Sequence, residues 1–172
     1  MRVMALLLFS GLATACGGAG AGNGMSPPGP PDAALPAGAI ILDGAHAPGL
    51  LSQCSRRAPA PGEAVWQPAA ADIVAVEAAL PAALATRRFT EVDWSAWPQG
   101  WRRQYVGKVR GGRRFIYGSF VPRQSGSENA SPAPGPEIVC DGGPAFFGAE
   151  YEVAARRVSH LAFNGALRPP PR

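Results

Sequence analysis

Apolar residues recur at helical spacing over residues 70–88 of the chain. They form one stripe of an amphipathic helix, which consists of Ile73, Val76, Leu80 and Leu84. Pro81 interrupts this stripe, and proline inside a helix lacks an N–H group and clashes with the preceding turn. The pattern therefore predicts a helical segment that is either kinked at Pro81 or split into two short helices.

The pattern changes to strand-like runs from residue 101 onward. Residues 102–110 and 113–121 flank Gly111 and Gly112, and two glycines between such runs indicate a hairpin because both turn positions need a positive φ. The hairpin side chains expected to face the helix are Trp101, Tyr105, Val109, Ile116 and Phe120. Alternation of apolar and polar residues predicts a second hairpin, from residues 145–153 and 157–164.

Two short segments complete the predicted sheet. Residues 137–141 indicate a strand, and the apolar run 39–42 indicates an edge strand or a segment packed on the core. A helix across one face of a curved sheet is the simplest way to bury both apolar surfaces. The sequence thus predicts an α+β fold, one kinked helix on a four- to five-stranded antiparallel meander. This order resembles the cystatin-like helix-on-sheet topology, and a topology implies no activity.

The amino terminus has the pattern of an export signal. Arg2 precedes an apolar run over residues 3–12, which is shorter than the roughly 20 residues of a membrane span. Small residues and then Cys16 follow, and this arrangement resembles a bacterial lipobox, although Leu12 lies one place further from the cysteine than usual. The resemblance implies a signal peptide, 1–15, and a palmitate-type lipid anchor on Cys16. Cleavage without lipidation is the alternative.

Glycine and proline mark the expected domain boundaries. Residues 16–38 are first Gly-rich and then Pro-rich, as in a tether that holds a domain away from a membrane. A single domain is expected over 39–167, followed by a flexible tail, 168–172. The expected location is the bacterial cell envelope, with the domain in the periplasm or at the surface. The outer membrane is favoured, because Gly17 is not an inner-membrane retention signal of the Asp type.

Two cysteines remain besides Cys16. Cys54 and Cys140 form an even pair in an oxidising compartment, which predicts a disulfide. It would close a loop with a sequence separation of 86 residues. The two histidines, His46 and His160, show no metal-ligand spacing with these cysteines, and we expect neither a metal nor another cofactor.

The first hairpin carries the most plausible binding surface. The net charge of the chain is +4, and an exported chain meets little nucleic acid, so no nucleic-acid partner is expected. Basic residues and a tyrosine alternate along the hairpin: Arg102, Lys108, Arg110, Arg113 and Tyr117. Arginines beside aromatic residues suit an acidic glycan, an anionic lipid or a carboxylate on an envelope protein. The alternative is a solvated strand face that discourages edge aggregation.

Titratable residues on the last strands are the candidates for catalysis, namely Asp141, Glu150, Glu152 and His160. A carboxylate beside a histidine can serve general acid–base chemistry. The simpler interpretation is that the glutamates are solvent-facing strand residues paired with Arg156, Arg157 or the basic hairpin. No nucleophile elbow occurs in a strand-to-helix context, and no catalytic residue is assigned.

A further resemblance lies in residues 140–165, CDGGPAFFGAEYEVAARRVSHLAFNG. This block resembles the C-terminal segment of small proteobacterial exported proteins and lipoproteins, and the similarity extends over 101–165. The resemblance implies export and one domain, and it implies no activity. We therefore expect a non-enzymatic envelope lipoprotein that binds a protein or an anionic component. The alternatives are a small periplasmic hydrolase or inhibitor-type protein using residues 141–160, and a structural spacer.

Overall fold

The computed structural model describes residues 33–87, 89–123 and 135–165. In chain order its elements are β1 (Ala39–Ile41), α1 (Ala47–Leu51), β2 (Ala64–Trp66), α2 (Ala70–Ala85), β3 (Trp101–Arg110), β4 (Arg113–Pro122), β5 (Phe147–Glu152) and β6 (Arg157–Phe163). The strands form one sheet in the order β1-β3-β4-β5-β6, and β2 also pairs with β3. The fold is α+β, as predicted. The sheet is mixed rather than an antiparallel meander, because β1 runs parallel to β3.

The first hairpin forms as its turn residues predict. Gly111 has a φ of 56° and Gly112 a φ of 68°, in the region that glycine adopts without a steric cost. This two-residue turn places Arg110 opposite Arg113 in the register of β3 and β4. Both strands extend over ten residues, and they form the centre of the sheet.

Helix α2 continues through Pro81 to Ala85, so the prediction of two short helices is wrong. Its apolar stripe is buried against the sheet, and this packing holds the last turn in place although Pro81 donates no backbone hydrogen bond. Near the other end of the helix, Asp72 accepts a hydrogen bond from the amide of Ala69 at 2.8 Å. Tertiary burial therefore outweighs the local preference at residue 81.

Two layers cover the sheet. On one face, α2 packs on a cluster that includes four of the five hairpin residues predicted to face it; Val109 lies outside this cluster. On the opposite face, α1 and its flanking segments pack on Val106 and Tyr117 through Leu42, Ala47 and Leu50. The second layer was not predicted, and it determines which hairpin side chains reach the solvent.

Residues 137–141 do not form the predicted strand. Side chains instead form hydrogen bonds with the backbone of this segment. The amides of Val139 and Asp141 donate to Gln53 and Ser55, respectively. Asn164 donates to the carbonyl of Val139. The segment therefore lies beside the loop after α1 and not at an edge of the sheet.

Buried polar groups also connect α2 to the sheet. Glu77 of α2 lies 2.8 Å from the Nε atom of Arg103, and the Tyr105 hydroxyl donates a hydrogen bond of 2.8 Å to the same carboxylate. Burial, followed by the charge of Glu77, raises the pKa of Tyr105 well above its usual value, so its hydroxyl keeps the proton that it donates. These two contacts hold α2 at one position along β3.

Candidate functional site

Three arginines and two glutamates lie together at the end of the sheet that carries the β3–β4 turn. We call them the arginine cluster: Arg110, Arg113, Arg157, Glu150 and Glu152. Hairpin register brings them together, because the β3–β4 and β5–β6 turns lie at the same end of the antiparallel strands β3 to β6. The cluster lies on the α1 face of the sheet, where the even-numbered residues of β5 point.

Glu150 is the buried centre of this cluster, with only 1% of its surface exposed. Its carboxylate accepts two hydrogen bonds from Arg110, at 2.9 and 3.0 Å, and one from Ser159 at 2.8 Å. Lys108, also buried, places its Nζ atom 2.6 Å away. Burial alone would raise the pKa of Glu150, but these hydrogen bonds outweigh it and the pKa lies below the usual value. Glu150 is therefore ionised at neutral pH and fixes both cations.

For Lys108, burial has a larger effect on the pKa than the hydrogen bond to Glu150 has. Burial lowers the pKa of its ammonium group, and the hydrogen bond and charge of Glu150 offset only part of that effect. The same group donates to the carbonyl of Ala60 at 2.5 Å. Lys108 is thus a fixed internal cation whose charge depends on Glu150.

Glu152 orients the two arginines that reach the solvent. Its buried carboxylate lies 2.7 Å from Arg113 and 3.2 Å from Arg157. The arginine side chains themselves remain 61% and 64% exposed. Arg113 also lies over the ring of Phe115, at 5.6 Å from its centroid. Lys108 and the three arginines outnumber the two carboxylates that pair with them and a third, Glu63, which accepts hydrogen bonds from the Gly111 and Gly112 amides. The cluster therefore keeps excess positive charge beside an outward-facing pair of guanidinium groups.

The structure corrects the predicted binding surface. Arg110 and Arg113 belong to the arginine cluster, but Lys108 and Tyr117 are buried and cannot contact a macromolecular partner. They lie beneath α1 and its flanking segments, residues 42–63, which we call the covering layer. The Tyr117 hydroxyl accepts a hydrogen bond from Arg56 of this layer at 3.3 Å. Arg102 lies towards the opposite end of β3, paired with Glu137. The five residues therefore do not form one exposed face.

The candidates for catalysis have structural partners. Glu150 and Glu152 pair with the basic hairpin and with Arg157, as the simpler interpretation expects, but both are buried and not solvent-facing. The Nε2 atom of His160 lies 2.8 Å from the carbonyl oxygen of Arg57 and donates to it. Asp141 occupies a turn at a φ of 69°, where its amide donates to Ser55. Glu150, Glu152 and His160 thus have side-chain partners that explain their positions, while the contacts of Asp141 with Ser55 and Asn164 are made by its backbone.

Cys54 and Cys140 lie at disulfide-bonding distance, with their Cα atoms 5.1 Å apart. Both residues are exposed, and they join the loop after α1 to the segment before β5. Gln53 strengthens the same junction, since its side-chain amide donates to the carbonyl of Glu137 at 3.2 Å. The cross-link therefore fastens the covering layer to the sheet beneath it.

An open apolar groove of about 760 Å³ lies in the covering layer, beside the arginine cluster. Small or apolar residues form most of its lining: Gly44, Ala45, Ala47, Pro48, Leu51, Ala58, Pro59, Pro61, Gly62, Ala64 and Val65. Ser52 and Lys108 complete it. No pattern in the sequence indicates this groove, because its walls come from short elements and loops that only the tertiary fold brings together. A smaller cleft of about 460 Å³ lies between the end of α2 and the rings of Trp94 and Trp97.

Comparison of the chain with protein-family models, with curated proteins and with solved structures finds no match. Within the described residues, no three His, Cys, Asp or Glu side chains are grouped so that they could hold a metal ion. In the same residues, no helix is long and apolar enough to cross a membrane. Cys16, the proposed lipidation site, and the tail 168–172 lie outside the described part of the chain.

Proposed function

We propose that the protein is a non-enzymatic, lipid-anchored protein of the bacterial cell envelope that binds an anionic envelope component through the arginine cluster. The observation that carries this proposal is the pair of exposed guanidinium groups held over buried Glu152. Arginines fixed in this way lose little side-chain freedom on binding and can donate two hydrogen bonds to one carboxylate or phosphate. The cluster replaces the basic hairpin as the binding surface.

The sequence supports the envelope location. Arg2, the apolar run and Cys16 form the lipobox-like pattern, and the exposed Cys54–Cys140 pair suits an oxidising compartment. We expect the expressed chain to incorporate radiolabelled palmitate into a membrane-bound product. Cys16→Ser is expected to abolish the label while Cys54→Ser retains it. Unlabelled wild-type protein that keeps Met1 and fractionates with the cytosol would contradict the envelope proposal.

Binding to vesicles tests the arginine cluster. The chain from residue 16 onward, carrying Cys16→Ser so that no acyl group contributes, is expected to sediment with phosphatidylglycerol vesicles. Arg113→Ala and Arg157→Ala should each weaken this binding about fivefold, since one basic residue near an anionic surface contributes roughly 1 kcal/mol. Each single variant leaves Glu152 one arginine partner, which protects the fold. Raising the salt concentration should weaken wild-type binding.

Arg87→Ala is the matched control, because Arg87 is exposed at the end of α2 and lies outside the cluster. We expect it to change the affinity less than twofold. Equal losses in Arg87→Ala and Arg113→Ala would mean that diffuse charge, and not the cluster, causes binding. Binding no stronger than to neutral phosphatidylcholine vesicles would favour a structural spacer instead.

A further inference from the structure

We propose that the apolar groove and the arginine cluster form one amphipathic site, and that its ligand is a single-chain fatty-acid carboxylate. This inference rests on the proposed function, because Arg110, which it assigns to the head group, belongs to the arginine cluster. It adds a second surface, the groove, which an anion without an acyl chain would leave empty.

Direct contacts join the two surfaces. The carbonyl of Ala60, on the loop that forms one wall of the groove, accepts hydrogen bonds from Lys108 at 2.5 Å and from Arg110 at 3.1 Å. Lys108 lines the groove with only 1% of its side chain exposed, whereas the side chain of Arg110, a member of the cluster, is 32% exposed. A molecule lying in the groove therefore has the Arg110 guanidinium at the edge that leads to the cluster, with the charge of Lys108 buried beside it.

The composition of the groove selects the rest of the ligand. Among the described residues, its lining is apolar apart from Ser52 and Lys108 and includes no carboxylate. Val65 lies in it on β2, directly opposite Lys108, with 55% of its surface exposed. A hydrocarbon chain that covers this exposed apolar wall binds more tightly, because each methylene removed from water contributes to affinity. A volume of about 760 Å³ lies within the range of about 300–1,000 Å³ that small-molecule sites occupy.

Charge complementarity selects an anionic head group. Lys108 and Arg110 share the single carboxylate of Glu150, so this end of the groove keeps excess positive charge. The Arg110 guanidinium also lies over the ring of Phe115, 4.2 Å from its centroid. Glu150 and Phe115 together hold this guanidinium in place. A carboxylate at the mouth of the groove meets this positive charge, whereas a neutral or cationic head group of the same chain length does not.

Calorimetric titration with sodium octanoate, decanoate and dodecanoate below their micelle concentrations tests the site. The protein is the chain from residue 16 onward with Cys16→Ser. We expect affinity to rise about fourfold for each added methylene, the factor that complete burial of a methylene gives. Decyl maltoside, which has an apolar chain and a neutral head group, should bind at least tenfold more weakly than decanoate.

Val65→Trp places an indole in the groove and is expected to weaken dodecanoate binding at least tenfold. Val74→Trp is its matched control, since Val74 is a similarly exposed valine on α2, which covers the opposite face of the sheet. The melting temperatures of both variants show whether the fold is kept. Should Val65→Trp fail to fold, the chain-length series on the wild type decides the question alone.

The two proposals fail in different ways. Salt-sensitive vesicle binding that depends on Arg113, together with fatty-acid affinities that do not rise with chain length, would overturn the groove and leave the cluster in place. Equal losses in Val65→Trp and Val74→Trp would also overturn the groove. Absence of both vesicle binding and fatty-acid binding would overturn the proposed function and the inference together.

Discussion

Replacing Glu150 with alanine is expected to lower the free energy of unfolding by about 3–5 kcal/mol, the usual effect of removing one partner of a buried ion pair. The physical reason is Lys108, of which only 1% is exposed. Without Glu150, its ammonium group keeps a single carbonyl acceptor, Ala60, and remains charged in the interior or loses its proton. Arg110 loses both of its hydrogen bonds to the carboxylate as well.

Urea unfolding at neutral pH measures this effect. Glu137→Ala is the matched control, because Glu137 also pairs with an arginine of β3 but both side chains are partly exposed. An exposed pair contributes about 0–1 kcal/mol, so the control should remain close to the wild type. A second variant, Glu150→Ala with Lys108→Met, removes the unpaired cation and should recover part of the loss. Equal, small losses in Glu150→Ala and Glu137→Ala would contradict the buried centre of the cluster.

Removing the disulfide with Cys54→Ser and Cys140→Ser is expected to lower the free energy of unfolding by about 4.5 kcal/mol on the chain-entropy model, at the upper end of typical values. The cross-link closes a loop with a sequence separation of 86 residues, so the unfolded chain gains much freedom without it. Both cysteines are exposed, so serine replaces them without leaving a buried cavity.

Unfolding of the oxidised wild type, the reduced wild type and the double variant separates the cross-link from the side-chain change. Reduced wild type and double variant should unfold at similar urea concentrations, both well below the oxidised protein. Two free thiols in the protein isolated without reductant, or a loss below about 1 kcal/mol in both forms, would contradict the prediction.

The hairpin and the apolar face of α2 could be predicted because local signals specify them. Gly111 and Gly112 supply the positive φ values of the turn, and the turn then fixes the register of both strands. The spacing of Ile73, Val76 and Leu80 selects the buried face of the helix. These features depend on residues close together in the sequence, so the local pattern of the chain is enough to predict them.

The covering layer could not be predicted, because it depends on contacts between residues far apart in the chain. Strand β1 has only three residues and pairs in parallel with β3, more than sixty positions away. The positions of Lys108 and Tyr117 follow from that layer, and period-2 alternation cannot tell a covered face from a solvated one. Pairing of the basic hairpin with Glu150 and Glu152 was one of the two interpretations considered, and the strand register decides it.

The affinity of the unacylated chain for phosphatidylglycerol vesicles, measured for the wild type, Arg113→Ala and Arg87→Ala, tests whether the arginine cluster binds an anionic partner. We expect salt-sensitive wild-type binding, a loss of about fivefold in Arg113→Ala and a change below twofold in Arg87→Ala. Wild-type binding equal to that on neutral vesicles, or the same loss in both variants, would contradict binding through the cluster.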